Sequence, residues 1–407
     1  MRRLRNVTRR LFRGARNAEP VHKAVRLLPD GRSHGRVLMS YATKVYQDIL
    51  QGESLDKTHV SAWQNFQISR TFLDLGFEVE VFHFEDPKYT PSAACDVIID
   101  IMSNLGRLAD GQQIDPVKIL YPTFAHWTVH NMRSYQRHRA IAERRGVAIA
   151  PKRLVAPNDS VERADHILCK GGEFGRSTYA YTETPVQAVA QIHPHAINEF
   201  LARKPDQCRK RFIWIGGSSA VHKGLDLVLE AFSQLPEFGL TVIGNVPEER
   251  PFCSAYRKEL FEAENISVAG WVDTLSPRFR DICENAIGII APSATELGCG
   301  SVIAGMMNGL IPIVSEGADI DVSGFGVELG EDTVRCVRNA VVSLAETPAV
   351  DLAAFSEAAR DASLERYGQE RFLKTFRAAI CDALDLDPPA IWDDYDSALR
   401  VPRIETI

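Results

Sequence analysis

Residues Ala286–Ser315 read AIGIIAPSATELGCGSVIAGMMNGLIPIVS, and they follow the order strand, glycine-containing loop, helix, turn, strand. Ala286–Ala291 is a short apolar run stopped by Pro292, as expected of a parallel strand buried on both faces. The loop 293–300 ends in Gly298, Cys299 and Gly300, where the missing side chains of the glycines let the backbone approach a ligand. Ser301 is a candidate N-cap for the next helix, Val302, Ile303, Met306, Met307 and Leu310 recur at helical spacing, and Gly309 stands where a helix C-cap belongs. Ile311-Pro312-Ile313-Val314 opens the next strand. A helix N-terminus entered from such a loop presents free N–H groups that suit a phosphate. Glu296, inside the loop, suits sugar hydroxyls better than phosphate. Together they suggest a sugar–phosphate site.

The rest of the chain repeats this alternation. Arg36–Ala42, Glu78–Phe84, Asp96–Ile101 and Val117–Tyr121 read as strands, with a helix around Ser61–Leu75. Further strands are expected at Ala164–Leu168, Val186–Ile192, Arg211–Ile215, Leu240–Gly244 and Ile266–Val272, with a short helix at Arg278–Cys283. Strands alternating with helices at this spacing mean βαβ units and parallel sheets. At 407 residues the chain suits two domains better than one core. The expected division is a basic extension over 1–35, a first domain over 36–200, a second over 201–380, and an acidic tail over 381–407.

Charge is unevenly spread. Residues 1–36 hold eleven Lys/Arg against Glu19 and Asp30, a balance of +9 that leaves −15 for 37–407 out of the total of −6. So acidic a body argues against nucleic-acid binding. Residues 1–17 carry seven arginines and no acid, with Leu4, Val7, Leu11 and Phe12 on one helical face. They read either as an amphipathic contact to an anionic membrane or as a solvated tail. No apolar run is long enough to span a bilayer, and the eight cysteines lack C-x-x-C spacing. A cytoplasmic protein, with or without peripheral contact at the inner face of the membrane, is the expectation.

After the strand ending at Tyr121, His126, Trp127, His130, Asn131, Arg133 and Arg137 enter a helix from the strand's C-terminal edge, where ligands of open α/β sheets bind. A lone histidine there is more often held by local hydrogen bonds. Gly171-Gly172-Glu173-Phe174-Gly175 is a glycine-rich turn but not G-x-G-x-x-G. In the second half, Gly216-Gly217-Ser218-Ser219 follows a strand, and His222-Lys223-Gly224-Leu225-Asp226 leads into a helix. A lysine is unfavourable at the positive end of a helix dipole unless an anion accompanies it.

The phrase P-S-x-x-E, a glycine-containing loop, a helix with M-x-x-G and a Pro-hydrophobic strand resembles the donor site of GT-B glycosyltransferases, family 4 above all. The K-G-x-D around Lys223, the Gly270-Trp271-Val272 turn and the G-F-E-V strand are similar to that family's pattern over most of 36–380. The resemblance implies two Rossmann-like domains facing each other across a cleft, with C-terminal helices crossing back to the first. It implies a retaining, metal-independent transfer of sugar from a nucleotide-diphosphate sugar to a glycan or lipid-linked acceptor, without a further cofactor. In that pattern Lys223 holds the diphosphate, Glu296 the sugar, and His126 faces the sugar from the first domain. Gly216, Gly217, Ser218, Trp271, Val272, Gly298, Cys299, Gly300, Ser301 and Val302 complete the donor side, with His130 and Arg133 toward the acceptor. Two positions depart from it. Ala304 stands where the family has a second, ribose-binding glutamate, and Gly217 where it often has an arginine. A non-catalytic subunit and a nucleotide-sugar epimerase of the same fold are therefore the alternatives.

Overall fold

The computed structural model describes residues 23–55, 60–193, 204–389 and 402–407. The basic segment 1–17, the linker residues 194–203 and the acidic cluster Trp392–Asp396 lie outside them.

The first sheet holds β1 (Val25–Leu28), β2 (Gly35–Tyr41), β3 (Phe77–His83), β4 (Val97–Asp100), β5 (Val117–Leu120), β6 (His166–Cys169) and β7 (Val186–Ala188). The second holds β8 (Arg211–Ile215), β9 (Gly239–Ile243), β10 (Ile266–Gly270), β11 (Gly288–Ala291), β12 (Ile311–Ser315) and β13 (Val327–Leu329); β14 (Arg403–Thr406) returns to the first. The orders are β14-β1-β3-β2-β4-β5-β6-β7 and β10-β9-β8-β11-β12-β13. Every pairing is parallel except β1 with β3 and β1 with β14.

The apolar strand runs have a simple cause: both faces of each sheet are covered. In β2, Val37, Met39 and Tyr41 enter one apolar cluster and Leu38 the other. In β8, Phe212 and Trp214 face one cluster and Ile213 the other. Successive side chains alternate across a strand, so a strand buried on both faces needs apolar residues at every position.

Two expectations about the termini need correction. The stretch 1–35 contains β1, and 381–407 contains β14, and these strands pair with each other, Val25 opposite Thr406. The last residues therefore extend the first sheet instead of trailing as an acidic tail.

The chain crosses back to the first domain on two successive helices. Helix Ala349–Arg366 places Ala359 and Ala362 in the second domain's core. After a break at Tyr367–Gly368, helix Gln369–Ala383 packs Phe372, Phe376 and Ile380 into the first domain's core. Phe372 meets Trp63 edge-on at 5.7 Å, and Phe376 meets Tyr121 the same way at 5.7 Å. The domains also interlock directly, since Ile141 and Ile149 join the second core and Leu297 joins a first-domain cluster.

Candidate active site

The loops after β8 and β11 are pressed together by glycines. Gly224 has φ +71°, and a Cβ there would lie 2.2 Å from the Pro292 carbonyl oxygen. Gly244, just after β9 and at φ +136°, likewise brings that strand's end against the loop after β8, since a Cβ there would lie 1.6 Å from the oxygen of Gly216. No other residue type allows these approaches. With the loops in register, the N–H of Ala294 donates to the carbonyl of His222 at 2.7 Å. Lys223 and Glu296 are then neighbours.

The Lys223 ammonium donates to Glu296 Oε1 at 2.7 Å. The guanidinium of Arg153, from the first domain, donates to the same oxygen at 3.0 Å. The three side chains are 16 %, 12 % and 25 % exposed for Lys223, Glu296 and Arg153, so water screens them poorly. Burial alone would raise the pKa of Glu296, but Lys223 and Arg153 outweigh it and hold the carboxyl well below its ordinary range. Burial likewise opposes the charge on Lys223, yet Glu296 leaves its pKa raised. The anion that a lysine at this position calls for is Glu296. The two residues, read from sequence as having separate partners, are each other's partner.

Two histidines frame this group. His222 Nε2 donates to the Thr295 carbonyl at 2.8 Å, and its ring lies 4.9 Å from that of His130. His130 Nε2 donates to the Arg153 carbonyl at 2.9 Å, and its Nδ1 accepts from the Thr295 hydroxyl at 2.7 Å. Burial, and then Arg153, push His222 down to about 3. Burial pushes His130 down to about 4. Both rings are neutral at ordinary pH.

Several candidates lie elsewhere than expected. His126 bonds Thr128 Oγ1 at 2.7 Å and the Tyr181 hydroxyl at 3.1 Å, and stacks edge-on with Tyr179, all in its own domain. His130, one helical turn on, is the residue that reaches the second domain's loop, and it is too buried to serve as an acceptor contact. Arg133 pairs with Glu316 and covers the Phe174 ring at 4.4 Å. It lines a cleft of about 550 Å³ with Arg137, Ala294, Glu316 and Asp332, two residues from Glu296. The helix after β11 starts at Gly300, so Cys299 and not Ser301 holds the N-cap position. Cys299 is buried, with its Sγ 3.3 Å from the Ser301 Oγ. The side chain of Val302 is fully buried and its N–H donates to the Cys299 carbonyl, so it offers a donor nothing. Gly300 and Ser301 keep N–H groups without a partner among the described residues. The loop is anchored at Gly298, whose carbonyl accepts from Gln191 of the first domain at 2.9 Å.

Gly217 and Ser218 are exposed beside buried Gly216. Trp271 is 66 % exposed, while Val272 is packed in the core. Ala304 is 1 % exposed within the same core. A carboxylate there would be buried without a partner, which is costly, so no ribose ligand can simply be restored at that position. Arg153 went unnoticed in the sequence, because Val147–Ser160 carries no motif and little helical or strand periodicity.

Neither a protein-family model nor a curated protein matches the sequence. Solved structures do. Sucrose-phosphate synthase from Thermosynechococcus elongatus aligns at a TM-score of 0.59 and 11 % identity, over 86 % of this chain and 99 % of that one. HepE from Anabaena, solved in complex with UDP and glucose, aligns at 0.53 and 12 % identity, over 86 % and 100 %. The fold is GT-B. The outer-core galactosyltransferase WaaB has the same architecture at a TM-score of 0.51 and 12 % identity, over 85 % of this chain and 99 % of that one. Against TarM the alignment covers 70 % of this chain and 55 % of the TarM chain.

Proposed function

We propose that this GT-B protein is a glycosyltransferase, moving a sugar from a nucleotide-diphosphate sugar to a hydroxyl of a glycan or lipid-linked acceptor. The observation that carries the reading is the Lys223–Glu296–Arg153 group. It stands at the C-terminal ends of β8 and β11, the edge where open α/β sheets take ligands. The structural neighbours, one of them solved with UDP and glucose, have the same two-sheet frame.

In this reading the donor diphosphate displaces Glu296 from Lys223. Negative charge grows on the leaving diphosphate as the anomeric bond breaks, and Lys223 with the open N–H groups of Gly300 and Ser301 stabilises it without a metal. Glu296, released from the lysine, accepts hydroxyls of the sugar. The cleft lined by Arg133 receives the acceptor. Transfer is with retention at the anomeric carbon, and residues 1–17 bring the protein to an anionic membrane. The packing of Ala304 in the core favours a second reading, a subunit of the same fold that transfers nothing.

A panel of nucleotide-diphosphate sugars, followed by release of nucleoside diphosphate with a glycan or lipid-linked acceptor pool, separates the two. At least one donor is expected to be consumed by the wild type, and much more slowly by Glu296→Gln. If no donor in the panel turns over, the second reading replaces the first.

A further inference from the structure

The glycine-rich turn Gly171–Gly175 follows β6 and opens the short helix Glu173–Ser177. Its glycines all face two side chains of the second domain. A Cβ on Gly171, Gly172 or Gly175 would lie 2.5, 2.6 or 2.5 Å from a carboxylate oxygen of Asp319. On Gly171 and Gly175 it would also lie 2.8 and 2.4 Å from Cδ2 of Leu297. Lacking side chains, the turn is a socket that admits both residues. The Asp319 carboxylate accepts there from the N–H groups of Gly172 at 2.7 Å and Gly175 at 3.2 Å. Asp319 is buried, so water competes little for these bonds. Its φ of +57° is one that few residues other than glycine adopt and that aspartate tolerates.

Asp319 and Leu297 flank the two chain segments that hold Glu296. Leu297 is the next residue along the chain, and it packs in the first-domain cluster with Leu120, Cys169 and Tyr179. Asp319 closes the turn Glu316–Ala318, its N–H donating to the Glu316 carbonyl at 3.0 Å. That turn in turn accepts the N–H of Glu296 at Gly317, at 2.7 Å, and the N–H of Cys299 at Ala318, at 3.0 Å. Glu296 therefore stands on a loop fixed at two points in one socket of the other domain. We propose that Asp319 is a positioning residue for Glu296: docked in the Gly171–Gly175 turn, it fixes across the domain boundary the loop that presents the carboxylate to Lys223 and Arg153. The inference rests on the transferase reading for what Glu296 does, but the placement of the loop does not.

Amide hydrogen exchange on the full chain is the test, because it needs neither donor nor acceptor. Asp319→Gly is the variant, since glycine takes a positive φ freely and only the carboxylate is lost. Exchange should quicken about tenfold or more at Gly172 and Gly175, as for loss of a hydrogen bond to a charged group. It should also quicken severalfold at Glu296 and Cys299, while amides of β11 and β12 keep their wild-type rates. Asp319→Asn, which keeps one acceptor oxygen, should fall between. A change confined to Gly172 and Gly175 would make Asp319 a local tether and overturn the proposal, as would no change at any of these amides. Equal acceleration of β11 and β12 in both variants would overturn it too, because Asp319 would then support the whole domain. With a donor that the wild type consumes, Asp319→Gly should lower kcat about tenfold or more, and more than it raises KM. Wild-type kcat beside quickened exchange would remove the positioning role and leave the transferase reading standing. Exchange as expected while the wild type consumes no donor would uphold the placement of the loop and end the transferase reading.

Discussion

Replacement of Lys223 by alanine is expected to lower kcat about a hundred- to a thousandfold, the usual cost of one group that stabilises charge formed in the transition state. The reason is where Lys223 points. Its ammonium is 2.7 Å from Glu296, and in the proposed donor complex it meets a diphosphate whose charge rises as the sugar leaves. An interaction that strengthens toward the transition state appears in kcat more than in KM. The structure adds a condition to this prediction. Glu296 loses one of its two cations in Lys223→Ala and keeps Arg153, so the variant should remain folded but somewhat less stable. The double variant Lys223→Ala/Glu296→Gln also leaves Arg153 without its acid, so it should recover neither stability nor rate. Steady-state kinetics and melting curves on the three proteins check both halves. A Lys223→Ala enzyme with wild-type kcat would remove the lysine from the chemistry.

The second large effect concerns acid. His130 and His222 are buried where the domains meet, with pKa values pushed from 6.5 down to about 4 and about 3. Between those values and 6.5 the unfolded chain binds protons that the folded one refuses. Stability therefore rises with pH through this window and is lost as pH falls below 6.5. From pH 7.5 to pH 5 the loss is on the order of 2 kcal/mol for each histidine. Glu296 does not contribute there, since its depressed pKa makes it lose stability only at lower pH. His126 and His138, also lowered by burial, add in the same direction. Melting temperatures across pH 5 to 7.5 should slope upward in the wild type and much less in His130→Gln/His222→Gln. An equal slope in both would show that the paired rings do not set the acid limit.

Much of this arrangement was legible from residues alone, and the exceptions share a cause. The buried parallel strands announced themselves because both faces are covered, as at Ile289-Ile290 and Ile313-Val314. Strands β1 and β14 did not, because VRLL and RIET are four-residue segments with charges among their apolar residues. Lys223 and Glu296 stood out as loop residues with unusual surroundings. Their contact did not, because 73 residues separate them and local pattern carries no information about tertiary pairing. His126 and His130 are one turn apart on one helix. Periodicity gives that helix a face, but which turn meets the other domain depends on how the domains dock. Arg153 had no local signal at all. Its role exists only because the segment that bears it reaches across to Glu296.

The central claim is that the cation group beside Glu296 is built for a nucleotide's diphosphate, and thermal stabilisation by matched nucleotides tests it most directly. Nucleoside, nucleoside monophosphate and nucleoside diphosphate of the same base are compared at equal concentration for each common base. For at least one base the diphosphate should stabilise most, by about 2.7 kcal/mol at a hundred times its Kd. The monophosphate should do so much less, and the diphosphate's advantage should disappear in Lys223→Ala. Equal stabilisation by all three members of every series, or by none, would contradict the account.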